Sequence, residues 1–206
     1  LFARQAERTP DAVAAQLGSA TLTYRELAAR SDAVAAHLRE LGVGRGSYVG
    51  VCAERSFAML AALLGVLKAG GATIGLDPAA PPQRLAAMLG DACARVVLAQ
   101  SHLTASLLPA MAYPAAAGVR VVALETIGDA PPDFVPAEAG PEDPAHVMFT
   151  SGSTCTPKGA VLPHRAAVRT VCGADYLDFN ADKTFFGFVP LTFDVSILEV
   201  WGRLLN

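Results

Sequence analysis

Short runs of β-branched and aliphatic residues alternate along this chain with stretches of helical period. That alternation is the pattern of a mostly parallel sheet covered by helices on both faces, so an α/β layer fold is expected. The first long helix has a clear start. In Thr23-Tyr24-Arg25-Glu26 the hydroxyl and the carboxylate can each satisfy a backbone N–H, which makes a capping box. Leu27, Val34, Leu38 and Leu41 follow as an apolar stripe, Gly42, Gly44 and Gly46 punctuate its end, and Tyr48 to Ala53 reads as a buried strand. These glycines form G-x-G-x-G between a helix and a strand, whereas a dinucleotide fingerprint needs G-x-G-x-x-G between a strand and a helix. They are therefore read as a C-cap and a turn.

The unit recurs. Ser56 can cap a helix running to about Ala69, Gly70 and Gly71 stop it, and Thr73 to Leu76 is a strand ending at Asp77-Pro78. Pro82 sits in the first turn of a helix carrying Leu85, Met88 and Leu89. The strand Arg95 to Ala99, a helix near Leu103 to Met111 and the strand Val119 to Leu124 come next. Residues Gly128 to Pro144 are rich in proline and acidic residues, which suits an exposed connector and a soft internal boundary near 128–144. Beyond it the spacing predicts the strand His146 to Thr150, a polar loop, the run Gly159 to Leu162 and a helix near His164 to Tyr176. The strand Phe185 to Val189 and a last helix entering at Phe193 complete the chain.

Composition narrows the function classes. The net charge of −3 over 206 residues gives no long-range attraction to nucleic acid or to anionic lipid. Hydrophobic residues make up 52%; with the 40 alanines set aside, about a third of the chain remains as larger apolar side chains, enough for a core. The apolar stretch Met59 to Val66 falls short of the roughly 20 residues that cross a bilayer. Cys52, Cys93, Cys155 and Cys172 show no C-x-x-C spacing, and reduced thiols in a cytoplasmic setting are expected. His37, His102, His146 and His164 lie too far apart for a local metal knuckle, and no metal ligand is assigned. The chain opens at Leu1 without a Met or a leader and ends at Asn206 inside an apolar-periodic stretch, so it is expected to be a fragment.

The segment that carries chemistry runs Thr150-Ser151-Gly152-Ser153-Thr154-Cys155-Thr156-Pro157-Lys158-Gly159, directly after an apolar strand. Hydroxyls, small residues that expose backbone N–H groups, and a terminal Lys supply donors and charge for phosphate oxygens. A Ser/Thr-rich surface loop is the plain alternative. The P-loop pattern G-x-x-x-x-G-K-[ST] is excluded by spacing: counted from Gly152, Pro157 stands where Gly is needed and Gly159 where a hydroxyl is needed.

Four motifs in order make the sequence resemble the adenylate-forming, AMP-binding superfamily, and within it the adenylation domains of nonribosomal peptide synthetases. They are Leu22 to Leu27, Leu67 to Ala72 with Leu76-Asp77-Pro78, Phe149 to Gly159, and Phe193-Asp194-Val195-Ser196. The resemblance covers the whole chain and implies a layered α/β/α fold with mostly parallel sheets, the front of that family's large N-terminal subdomain. It implies ATP-dependent activation of an amino acid carboxylate to an aminoacyl adenylate, with release of pyrophosphate. Thioester transfer to phosphopantetheine on a carrier domain follows.

By the same resemblance, Thr150, Ser151, Gly152, Ser153, Thr154, Lys158 and Gly159 would hold the ATP phosphates. Phe193, Asp194, Val195 and Leu198 would bind the substrate, Asp194 through its α-ammonium. A carboxylate at a helix start facing an apolar pocket is costly unless a cation pairs with it, which agrees; a plain helix N-cap is the alternative for Asp194, and core packing for Val195 and Leu198. Mg2+ is implied with the nucleotide, but its family ligand, the catalytic Lys, the hinge and the C-terminal lid would all follow Asn206. A small activating protein is a further partner found with some such domains.

Two places depart from the family pattern. Cys155 stands where the loop has Gly, and a Cβ there costs roughly 1–2 kcal/mol if the position is left-handed. Thr73-Ile74-Gly75 replaces a segment with an aromatic residue and a Pro, where only a local packing change is expected. An acyl-CoA or aryl-acid ligase is the second enzyme reading, disfavoured by Asp194; a degenerate docking module, motivated by Cys155, is the third. If Cys155 lies beside the phosphates, ATP slows its modification by a thiol reagent, which mass spectrometry of the labelled peptide measures directly; labelling at an unchanged rate removes it from the nucleotide.

Overall fold

The computed structural model of the protein describes residues 1–150, 158–173, 176–177, 179, 187 and 189–206. Helix α1 (Phe2–Arg8) leads into an antiparallel hairpin of β1 (Val13–Leu17) and β2 (Ala20–Thr23). The chain then alternates α2 (Tyr24–Glu40), β3 (Tyr48–Cys52), α3 (Phe57–Lys68), β4 (Ala72–Gly75), α4 (Pro82–Asp91), β5 (Val96–Ala99), α5 (Thr104–Met111) and β6 (Arg120–Ala123). After an irregular connector come β7 (Pro144–Thr150), β8 (Lys158–Pro163), α6 (His164–Val171) and α7 (Val195–Leu204).

Among the described residues the larger sheet holds six strands in the order β6-β5-β3-β4-β7-β8. Every neighbouring pair is parallel except β7–β8. The α/β class read from the sequence is therefore the one observed, a mostly parallel central sheet between helical layers. Its strands are apolar on both faces because successive side chains point opposite ways. Val49, Val51, Val96, Leu98 and Met148 face the core shared with α2, α3 and α7, while Ile74, Val97, Ala99 and Val147 face the core shared with α4 and α5. Each fully buried aliphatic side chain contributes about 1.5–3 kcal/mol, so burial on two faces holds this sheet. No helix among the described residues is long and apolar enough to cross a membrane.

Helix boundaries follow local chemistry. Thr23 Oγ1 accepts the Glu26 N–H at 3.2 Å and Glu26 Oε2 accepts the Thr23 N–H at 2.8 Å, closing the capping box. Ser56 Oγ likewise accepts the Met59 N–H at 3.1 Å. Helices α2, α3 and α4 end in one shared arrangement, two backbone bonds folded back over a left-handed residue. That residue is Gly42 (φ +81°), Gly70 (φ +90°) and Cys93 (φ +52°) respectively. At α4 the Cys93 N–H reaches Gly90 O at 2.9 Å and the Ala94 N–H reaches Leu89 O at 2.9 Å. The helix starting at His164 is shorter than its spacing predicts, ending at Val171, where Cys172 turns extended (φ −102°, ψ 123°) ahead of the left-handed Gly173 (φ +71°). The strand placed at Phe185 to Val189 lies largely outside the described residues.

The proline-rich connector is tied along the ends of α2 and α3. The Ala137 N–H donates to Lys68 O at 2.7 Å, Arg39 Nη1 donates to Val135 O at 2.7 Å, and the Arg39 guanidinium lies 5.9 Å from the Phe134 ring centroid. Asp143 finishes it, accepting from the Gly140 N–H at 2.8 Å and from Arg45 Nε at 2.8 Å. These bonds deliver β7 alongside β4.

Cys93 is exposed, so its side chain contributes little while its backbone is strained. Cys93→Gly is expected to raise the unfolding free energy by about 0.5–1 kcal/mol, and Cys93→Ala to leave it unchanged; urea midpoints at constant m-value measure both.

Candidate active site

Strands β4 and β7 lie side by side, with Thr73 opposite His146 and Ile74 opposite Val147. After β4 the chain turns toward α4 and crosses to β5 on the far side of β3, whereas after β7 it returns to β8 on the opposite side. Diverging connections of this kind open a crevice at the carboxyl ends of the strands, the usual ligand position in such sheets. A cleft of about 830 Å³ occupies it, lined by Gly75, Asp77, Arg84, Thr150, Phe193 and Asp194 among others. The turn below it is built by Asp77, whose Oδ1 accepts the Ala79 N–H at 2.9 Å and whose carbonyl accepts the Ala80 N–H at 3.0 Å.

The candidate residues divide into three groups. Thr150, Phe193 and Asp194 meet at this cleft. Lys158 is exposed at the start of β8 in register with Thr150, and Gly159 pairs with Phe149. A Cβ on Gly159 would sit 3.1 Å from the Phe149 ring, so the bare backbone there gives that ring its place. Val195 is exposed and Leu198 packs on the main core, and neither lines the cleft. Ser151, Gly152, Ser153 and Thr154, together with Cys155, lie outside the described residues. Asp77, Arg84 and Gly75 were not singled out as site residues from sequence; the Asp-Pro turn and the Arg on the first turn of α4 were the available signals.

Asp194 occupies the N-cap position of α7 but makes no side-chain capping bond. The first turn of that helix relies on backbone instead, the Ser196 N–H donating to Phe193 O at 3.1 Å. Ser196 Oγ donates to Phe193 O at 2.6 Å, and Glu199 Oε2 accepts the Val189 N–H at 2.8 Å, stitching the preceding segment to the helix. The exposed Asp194 carboxylate is therefore not consumed by capping, and it stands at the positive end of the helix dipole.

Two contacts seat the Asp194 segment on β4. A Cβ added to Gly75 would lie 2.5 Å from Leu191 O and 2.7 Å from its carbonyl carbon, so only glycine lets the Leu191 backbone approach this closely. Deeper in, Trp201 Nε1 donates to His146 Nε2 at 2.9 Å, and His146 Nδ1 meets Thr73 Oγ1 at 2.6 Å. Indole nitrogen only donates, so Nε2 must accept and Nδ1 carries the proton toward Thr73. Burial, reinforced by the nearby charge of His164, pushes the His146 imidazole down to about 4. Thr73 and Gly75, both in the Thr73-Ile74-Gly75 segment, thus bear on one packing unit.

A family pattern described as "AMP-binding enzyme" matches residues 2–206. The chain belongs to the AMP-binding enzyme family. This AMP-binding chain is 36% identical over 211 residues to bacitracin synthase 1 of Bacillus licheniformis, which covers 100% of the chain and 4% of that protein. It is 40% identical over 208 residues to tyrocidine synthase 3 of Brevibacillus parabrevis, covering 100% of the chain and 3% of that protein. A crystal structure of the nonribosomal peptide synthetase FmoA3, in its α-methyl-L-serine-AMP bound form, superposes with a TM-score of 0.86 at 36% identity. That match covers 98% of this chain and 22% of FmoA3. The chain thus spans only a small part of the length of these relatives.

The buried histidine of this AMP-binding chain makes stability pH-dependent. Its folded value of about 4 lies below the ordinary 6.5, so between these values the unfolded chain binds a proton that the folded one refuses. Stability present in full above pH 6.5 is expected to be lost as pH falls toward 4, by about 3 kcal/mol from this group. Urea midpoints between pH 7 and pH 4 check it, and His146→Gln removes this component of the slope.

Proposed function

We propose that the protein carrying this chain activates an amino acid. A carboxylate oxygen of the substrate attacks the α-phosphorus of ATP, the bond from that phosphorus to the bridging oxygen breaks, and pyrophosphate leaves. The aminoacyl adenylate then passes to the phosphopantetheine thiol of a carrier domain, sulfur replacing AMP on the carbonyl carbon. The observation that carries this reading is the Asp194 carboxylate, unspent on capping and placed on the same cleft as Thr150. A negative group held there is matched in charge by an α-ammonium, whereas the phosphates of a nucleotide would repel it. The FmoA3 complex, which holds an amino acid joined to AMP, supports it.

The residues fit a nucleotide as the second substrate. The cleft is within the range of small-molecule sites, at about 830 Å³. Thr150 at its rim and Lys158, paired with Thr150 across β7 and β8, would meet the ATP phosphates, with Ser151, Gly152, Ser153, Thr154 and Gly159 in the intervening and adjoining backbone. The ammonium of Lys158 would offset charge that builds as pyrophosphate departs. Mg2+ would accompany ATP and is assigned no ligand in this chain. A carrier domain is the proposed partner, with a small activating protein as an accessory one. Residues 1–206 are proposed as part of the N-terminal AMP-binding unit.

Amino-acid-dependent exchange of pyrophosphate into ATP tests this reading in the protein as it naturally occurs. Exchange is expected with an amino acid and not with the matching acid lacking the amino group. Asp194→Asn is expected to lower kcat/KM for the amino acid by roughly a hundredfold, the size of losing one partner of a desolvated charge pair, with little change in KM for ATP. Exchange driven equally by des-amino acids would instead make the protein an acyl or aryl-acid ligase.

A further inference from the structure

Helix α7 carries Asp194 at its N-cap and Trp201 seven residues later. Seven residues make about two turns and return to within about 20° on the helix surface, so Trp201 and Asp194 share one stripe. Whatever fixes the rotation of α7 at Trp201 therefore fixes the direction of Asp194. Apolar contacts of Ile197 and Leu204 bury the helix but are non-directional, whereas a hydrogen bond also fixes an angle. Glu199, accepting the Val189 N–H, and Arg203 O, accepting from Tyr24 Oη at 3.0 Å, also hold the helix. The directional side-chain contact on the stripe shared with Asp194 is the bond from Trp201 Nε1 to His146 Nε2, both groups buried, with the rings tilted at 5.6 Å between centroids.

That bond needs His146 in one tautomer. Thr73 Oγ1, on the neighbouring strand and 2.6 Å from Nδ1, takes the proton-bearing nitrogen and leaves Nε2 as an acceptor. No buried side-chain polar atom among the described residues lacks a partner, so the chain from Thr73 through His146 to Trp201 is complete. Gly75 lies two residues beyond Thr73 on β4 and receives the Leu191 backbone just ahead of Asp194. Two paired strands thus locate the helix and its approach, β7 through His146 and β4 through Gly75.

We propose that His146 is a positioning residue for the substrate: relayed by Thr73, it holds the Trp201 indole, sets the rotation of α7 and so aims Asp194 at the substrate ammonium. The inference rests on the amino-acid-activating reading of this cleft. It makes affinity for the amino acid, and not for ATP, depend on a buried group that touches neither substrate.

The test is pyrophosphate exchange by the protein in which this chain occurs, with KM measured separately for the amino acid and for ATP. His146→Leu is expected to raise the amino acid KM about tenfold and to leave the ATP KM within twofold. His146→Gln, whose amide offers an acceptor to Trp201 and a donor to Thr73, is expected to restore most of the loss. Should His146→Leu not fold, Thr73→Val, which keeps the shape and removes the hydroxyl, is expected to raise the amino acid KM about threefold. Leu38→Ala, a core truncation on α2, serves as the control for stability alone and should shift neither KM.

In the 1H–15N spectrum, the indole signal identified by its loss in Trp201→Phe is expected to move in His146→Leu and to hold its place in His146→Gln. Equal shifts in both KM values, no shift at all, or no recovery with Gln would overturn the positioning role while leaving amino acid activation intact. Absence of exchange with every amino acid in the unaltered protein would remove the functional reading and this inference with it.

Discussion

The pairing of β4 with β7, Thr73 against His146, is the constraint from which the rest of the site descends. It brings the end of the first βαβα run next to a strand that arrives after a long irregular connector. It opens the crevice where the two outgoing chains part. It also places a hydroxyl beside an imidazole at a depth where either would be costly alone. Each of the three consequences needs the same register. A slip by one residue would turn His146 to the opposite face, toward α4 and α5, and expose Val147 to a polar partner.

The cleft divides its acidic groups by use. Among the described residues that line it, Asp77 is committed to the Ala79 N–H of the turn beneath. Asp194 is the carboxylate left over, at a helix end where the dipole lowers the cost of its charge without neutralising it. A charge held in readiness next to apolar surface gains most from a ligand that brings its own cation, and under the proposed function that asymmetry would separate amino acids from plain acids.

How much was legible in the sequence depended on the range of the interaction. The capping box of Thr23 and Glu26, the Ser56 cap and the helix ends at Gly42 and Gly70 are written in three or four neighbouring residues, and the structure has them as read. Cys93 performs the task of those glycines without their conformational freedom, so no local signal marked it. The hairpin of β1 and β2 went unread because its strands are short and bury only Ala14 and Leu22, so no regular apolar alternation marks them. At the site, Thr150 and Asp194 were found through motifs. His146 was not singled out, since its partners Thr73 and Trp201 stand far away in sequence and only the tertiary fold unites them. Gly75 was visible as a departure, but the Leu191 backbone that requires it was not.

Thr73 and His146 are 73 residues apart, and that distance has a kinetic meaning. The strands β3 to β6 are assembled from neighbouring βα units whose contacts are comparatively local, whereas β7 must close a long loop before it gains anything from β4. The cleft is thus completed by the least local step of folding. Until β7 docks, β4 presents an open edge of buried-type residues, Ala72, Thr73 and Ile74, to any other extended chain. The bonds from the connector to Lys68, Arg39 and Arg45 shorten that interval by holding the incoming strand close to its slot, so the same strap that frames the fold also guards an unfinished chain against pairing with its neighbours.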